Sequence, residues 1–180
     1  MTMQTIETPS GITVSYDKYG SGPPLVLVHG GFSDHQTNWQ ECRSMLAERF
    51  TVHAIARRGR GATSATQGHS VRDEVADVVA VLRSLDGPAA LLGHSYGAVC
   101  SLNAAVEYPQ GVSKLILYEH PAGPTVDAER LARLEAYAER EDWDGLVEAF
   151  MGILQVPRTR SPRSGRRRSG ASGRSTRRRR

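Results

Sequence analysis

Ser95 stands between two glycines in Gly93-His94-Ser95-Tyr96-Gly97, and a serine so spaced is a candidate nucleophile. The stretch before it, Ala89 to Leu92, is short and apolar and suits a strand buried inside a parallel sheet. The stretch after it, Tyr96 to Glu107, carries small and apolar residues at helical spacing and stops at Tyr108-Pro109. A strand running straight into a helix puts Ser95 on a sharp corner with His94 inside it. The backbone is strained there and bulky neighbours would clash, so Gly93 and Gly97 supply the missing bulk. The corner lifts the hydroxyl clear of the sheet and aims the helix N-terminus at it. The Tyr96 N–H is then free to hold negative charge developing on a substrate oxygen. The bland alternative is a glycine-rich turn with a passive serine, and the strand-before, helix-after context counts against it.

The elements that must position this corner follow from periodicity. Thr5 to Thr8 and Thr13 to Tyr16 alternate around Pro9-Ser10-Gly11 and read as a hairpin. Leu25-Val26-Leu27-Val28 is a continuous aliphatic run, expected for a strand covered on both faces. Asn38 to Arg49 reads as a helix marked by Trp39, Met45, Leu46 and Phe50, and Thr51 to Ile55 as the next strand. Val71 to Leu85 repeats apolar residues near 3.6, with Arg72, Asp73, Glu74, Asp77 and Arg83 elsewhere, Ser70 as N-cap and Gly87-Pro88 as the stop. Leu115 to Tyr118 reads as another buried strand, ending at Glu119-His120-Pro121. Val126 to Glu141 and Trp143 to Leu154 read as two amphipathic helices. A hairpin followed by alternating strands and helices predicts an α/β fold with right-handed crossovers and a mostly parallel sheet.

These residues resemble the α/β-hydrolase superfamily, in its serine-nucleophile branch, with the glycine-flanked serine as its nucleophile elbow. The resemblance runs from about Thr5 to Val156 and implies an α/β-hydrolase fold that lacks its last strands. It implies that His29-Gly30-Gly31-Phe32, after the third strand, supplies the second oxyanion-hole N–H from Gly31, with Phe32 as the alternative register; His29 then orders the loop. Ala56-Arg57-Arg58-Gly59-Arg60-Gly61 is similar to the family's Asp-x-Arg-Gly-x-Gly turn with Ala56 in place of Asp, which implies a looser turn. Arg57, Arg58 and Arg60 read as loop residues paired to nearby carboxylates, against a phosphate or nucleic-acid patch. The two late helices resemble the start of a helical cap, against two ordinary surface helices. The domain reading is thus residues 1–122 for the core, 123–156 for the start of a cap, and 157–180 for a disordered basic tail.

A nucleophilic serine needs a histidine base, which the family carries on a loop after its last strand. None of the six histidines, His29, His35, His53, His69, His94 and His120, takes that late position. Glu119 at the tip of the sixth strand is a candidate acid, against a glutamate that only anchors the cap. The resemblance implies acyl transfer on an ester, thioester or amide, impaired in this chain by the missing base, with no cofactor and no metal. A serine at the elbow argues against the dehalogenase and epoxide-hydrolase branches, which use aspartate; haloperoxidase-like members share the serine. The competing reading is a non-catalytic small-molecule-binding protein on the same fold.

Charge is split along the chain. Up to Pro157 there are 12 basic against 19 acidic residues, a net of −7, while 11 arginines follow from Arg158. The isoelectric point near 9.4 therefore belongs to the tail. That tail contains only Arg, Ser, Thr, Pro, Gly and one Ala, and its like charges repel. It lacks aromatics for stacking, so specific nucleic-acid binding is not expected. Either it is a selected feature, or it is the out-of-frame reading of a GC-rich gene, whose codons favour these residues. Cys42 and Cys100 do not suggest a disulfide framework, with Cys100 expected as a buried free thiol. No run reaches transmembrane or signal-peptide length, which sets the expectation of a cytoplasmic protein.

Overall fold

The structure is a computed structural model that describes residues 1–64, 68–121 and 126–155. The expectations for the tail lie outside these residues. Two compact units divide the chain, Met1–Pro124 and Thr125–Arg180.

The first unit is a six-stranded sheet with helices. β1 (Thr2–Glu7) and β2 (Thr13–Tyr19) form the hairpin, with β3 (Pro24–Val28), α1 (Arg43–Ala47), β4 (Thr51–Ile55), α2 (Val71–Arg83), β5 (Ala89–His94), α3 (Tyr96–Glu107) and β6 (Val112–Tyr118) following. The strand order is β1-β2-β4-β3-β5-β6. β2 lies antiparallel to both β1 and β4, and β4, β3, β5 and β6 run parallel. After β3 the chain goes to one side for β4, then returns to the other for β5. That reversal opens a crevice at the carboxyl ends of β3 and β5, the place where open α/β sheets hold ligands. The register brings Val28 opposite Gly93 and Gly93 opposite Leu117, so the ends of all three strands lie level.

β3 alternates between two cores, as its unbroken aliphatic sequence requires. Val26 and Val28 pack with Leu91, Val75, Val78, Leu82, Cys100 and Ala104, the α2–α3 side. Leu25 and Leu27 pack with Trp39, Val52 and Ala54 on the α1 side. α2 opens on a capping box in which Asp73 replaces the usual glutamate: its carboxylate accepts the Ser70 N–H at 2.7 Å, and Ser70 Oγ accepts the Asp73 N–H at 3.4 Å.

Three expectations are corrected. α1 is only Arg43–Ala47. Upstream, Asp34 Oδ1 takes the N–H groups of Gln36 and Thr37 at 2.8 and 2.7 Å, a local turn that competes with helix, and Met45 faces out. Glu74 and Asp77, set apart from the apolar repeat of α2 in the sequence, are buried with it, 3% and 4% exposed. β6 is not a buried strand: among the described residues it lies at the edge of the sheet, with Ile116 46% and Tyr118 57% exposed.

The second unit holds α4 (Ala128–Glu139) and α5 (Trp143–Ile153). Each starts on an aspartate N-cap: Asp127 Oδ1 accepts the Arg130 N–H at 2.8 Å and Asp142 Oδ1 accepts the Gly145 N–H at 3.0 Å. Neither helix has a buried residue. Among the described residues no helix is long and apolar enough to cross a membrane.

Candidate active site

Ser95 is the hinge between β5 and α3. Its φ of +52° and ψ of −118° are ones a non-glycine residue rarely adopts. The surroundings hold it there. The Ser95 N–H donates to the Tyr118 carbonyl at 2.9 Å, and its own carbonyl accepts the Ala98 N–H at 2.9 Å. A Cβ on Gly97 would lie 2.2 Å from the Val28 carbonyl oxygen, and one on Gly93 would lie 2.4 Å from the Gly97 carbonyl oxygen. Only glycine lets β3, β5 and α3 approach so closely. The serine side chain makes no capping bond to α3. Tyr96 is the first residue of α3, where a helix has N–H groups without partners of its own.

The loop after β3 is tied from three directions. The His29 Nε2 accepts the Arg57 N–H at 3.2 Å, so Nδ1 carries the proton and donates to the Gly30 carbonyl at 2.9 Å. Burial lowers the His29 pKa to about 4, so the ring is neutral. Arg57 Nη1 donates to the same Gly30 carbonyl at 2.8 Å. Asn38 Oδ1 accepts three donors: the Gly30 N–H at 3.2 Å, the Ser33 hydroxyl at 2.7 Å and His94 Nδ1 at 2.8 Å. The Gly30 N–H is thereby consumed, and Gly31, solvent-exposed, makes no hydrogen bond of its own. His29 thus orders the loop, as the sequence implies.

Two buried ion pairs stand behind the loop. Arg57 grips Glu74 through Nε at 2.6 Å and Nη2 at 3.2 Å, and its guanidinium lies 4.2 Å from the centroid of the Tyr96 ring. Burial opposes ionisation of Glu74, but the bond and charge of Arg57 overcome it and hold the carboxyl below its ordinary value. Desolvation, then the neighbouring Glu74, pushes the Tyr96 phenol up to about 12. Arg58 pairs with Asp77 at 2.7 and 3.0 Å. Both arginines are spent on carboxylates, which overturns a phosphate patch at these positions. The turn is not loose either: Thr63 Oγ1 donates to the Ala56 carbonyl at 2.6 Å, and the Ala56 N–H to Ser15 at 3.0 Å. Cys100 is the buried free thiol expected, its pKa raised to about 12 by desolvation.

His94 and Glu119 meet beside the corner. The Glu119 carboxylate lies 3.2 Å from His94 Nε2, with φ at +52° and a side chain 64% exposed. Both His94 nitrogens are engaged, because Nδ1 is on Asn38. A mostly apolar hollow of about 500 Å³ opens between Asn38, Trp39, Leu92, His94, Ile116 and Tyr118. Asn38, Arg57 and Glu74 were not singled out from the sequence as site residues. A signal existed for two of them: acids at 74 and 77 share the stripe of Val78 and Val81, which asks for buried cations, and Arg57-Arg58 is the adjacent pair that answers. Among the described residues no cluster of His, Cys, Asp or Glu suits a metal ion.

Comparison with known proteins places this geometry in context. A profile described as the alpha/beta hydrolase family matches residues 25–178. The chain is 31% identical to a crystallised alpha/beta hydrolase from Sphaerobacter thermophilus, with a TM-score of 0.76 over 86% of this chain and 62% of that one. It is 32% identical over 127 residues to a 2-(acetamidomethylene)succinate hydrolase of Mesorhizobium japonicum, covering 69% of this chain and 45% of that protein. It is 31% identical over 146 residues to a pimeloyl-[acyl-carrier protein] methyl ester esterase of Vibrio campbellii, covering 77% and 55%. The chain spans about half the length of these curated relatives.

Proposed function

This chain belongs to the α/β hydrolase family, and from that premise we propose that Ser95 is the nucleophile of an acyl-transfer hydrolysis. Ser95 Oγ attacks the carbonyl carbon of an ester, thioester or amide in a small molecule. The N–H groups of Tyr96 and Gly31 receive the oxyanion. Gly93, His94 and Gly97 complete the elbow, and no cofactor takes part. The observation that carries this is the strained Ser95 backbone, kept at the carboxyl end of β5 by contacts that only Gly93 and Gly97 permit. Strain held this firmly at a crevice is spent on presenting a side chain. Relatives named as hydrolases and an esterase support the same chemistry.

Glu119 is the candidate acid. Its bond to His94 gives it a partner already, so it reaches another group only by letting go. His29 spends both ring nitrogens on the loop, while His94 gives Nδ1 to Asn38 and its Nε2 bonds Glu119 only when the ring carries both protons. Turnover by this chain is expected to be low unless another histidine, His120 first, serves as base: loss of a triad member costs about 10⁴-fold or more, with roughly 10³–10⁴ over water surviving from the oxyanion hole. These occupied imidazoles favour the second reading, a small-molecule-binding protein using the hollow beside His94. Within the proposal α4 and α5 begin a cap, and the protein works in the cytoplasm.

A fluorophosphonate probe decides between the two. Labelling at Ser95, lost in Ser95→Ala, is expected for the hydrolase. An unlabelled but folded chain leaves the binding reading. Robust turnover of a p-nitrophenyl ester, abolished by Ser95→Ala, would overturn the expectation of an impaired site and direct attention to His120.

A further inference from the structure

Resting on the reading that Gly31 N–H receives the oxyanion, we propose that Arg57 is the positioning residue that aims and polarises that N–H, acting through the Gly30–Gly31 peptide. The Gly30 carbonyl and the Gly31 amide are opposite ends of one planar trans unit. Whatever fixes the oxygen fixes the direction of the N–H. The oxygen takes two donors, Arg57 Nη1 at 2.8 Å and His29 Nδ1 at 2.9 Å, which together use both lone pairs. Turning the peptide over would abandon both.

Asn38 holds only the preceding amide, the Gly30 N–H at 3.2 Å. A Cβ on Gly31 would meet no atom within 4 Å, so packing does not restrain this residue. Glycines on both sides of the peptide lower the barrier to a flip, with His94 the near neighbour on the Gly30 side. The restraint is therefore electrostatic. Of the two donors, His29 is neutral at ordinary pH while Arg57 carries a full charge. A charged donor on a carbonyl draws electron density toward the oxygen and leaves the opposite N–H a better donor. Arg57 is itself immobilised: its side chain is 12% exposed, forked onto Glu74 and laid over the Tyr96 ring. One guanidinium thus braces the residues that carry both proposed donors.

The test uses the full chain in three forms: wild type, Glu74→Gln, and Glu74→Gln combined with Arg57→Met, which leaves no unpaired buried carboxylate. Two readouts are followed: the ¹⁵N shift of the Gly31 amide, which senses bonding to the preceding carbonyl, and the second-order rate of Ser95 phosphonylation. The double variant should move the Gly31 resonance well beyond the shift caused by Glu74→Gln. It should also slow labelling about tenfold relative to Glu74→Gln, less than the roughly 10²–10³ lost when an oxyanion donor is removed outright. An unmoved Gly31 resonance, or equal labelling rates, overturns the proposal. If the wild type is not labelled at all, the nucleophile reading fails by itself and the Gly31 shift alone decides what Arg57 does. Should the double variant not fold, Glu74→Gln combined with Arg57→Gln, which keeps a neutral donor but loses the charge, is read in the same two ways; behaviour identical to Glu74→Gln in both overturns the proposal.

Discussion

Two corners of the sheet share one backbone angle and little else. Ser95 at the end of β5 and Glu119 just past β6 both have φ of +52°. Around Ser95, β3, β5 and α3 are in contact through the backbone, and the strain is fixed by groups with no room to yield. Around Glu119 the side chain is largely in solvent and its one side-chain bond is at 3.2 Å. An unusual angle signals function when the neighbours enforce it; where they do not, it is a loop conformation that a small perturbation can change. The difference follows from position: among the described residues β5 is flanked by strands on both sides and β6 on one side only.

The sharpest way to break this comparison is Gly97→Ala. Its Cβ would lie 2.2 Å from a backbone oxygen of β3, and urea unfolding should show a loss of about 3 kcal/mol or more. The Glu119 side chain, by contrast, is 64% exposed. A loss below about 1 kcal/mol would mean that the Ser95 corner can relax.

Acid is the second lever, and it acts through the loop next to Ser95. The His29 pKa falls from the model-peptide value of 6.5 to about 4 on folding, chiefly by burial. A lowered folded pKa means the unfolded chain takes up the proton first. Stability is therefore complete above about pH 6.5 and declines as pH falls toward 4, by at most about 1.4 kcal/mol per pH unit for one such group. His53, buried and likewise lowered to about 4, adds in the same window. Unfolding midpoints at pH 7.5 and 5 should differ accordingly, and His29→Gln should reduce the difference. An unchanged difference would place the acid sensitivity elsewhere.

The smallest effects separate the corners most directly. Ser95→Gly relieves positive-φ strain and should raise stability by about 1 kcal/mol while ending any labelling. Glu119→Gly relieves the same angle but gives up the His94 bond and adds chain entropy, so its change should stay within about 0.5 kcal/mol. Equal gains at both sites would dissolve the distinction.

The strands, α2 with its Ser70 cap, α3 and the corner itself were legible because each depends on local pattern. A strained serine between two closely packed glycines within one short motif needs no distant information. What the sequence hid depends on pairing over distance. Arg57 and Glu74 are 17 residues apart and His94 and Asn38 are 56 apart, and polar residues read one at a time look like surface. The exposure of β6 was hidden for a related reason: Leu115-Ile116-Leu117-Tyr118 describes an apolar strand without saying what lies next to it. The late start of α1 was hidden because the turn that Asp34 closes on Gln36 and Thr37, just upstream, depends on one side chain in a stretch of helical spacing.

The central place of β3 also orders the molecule in time. Its backbone amides and carbonyls are bonded to β4 on one side and β5 on the other, so they meet solvent only when the sheet comes apart as a whole. β1 and β6, each bonded along one side, can open by fraying. In deuterated water β3 should be the last strand to exchange, at the rate of global unfolding, and β1 and β6 among the first. The slowest clock in the protein then ticks in the strand that runs up to the loop facing Ser95.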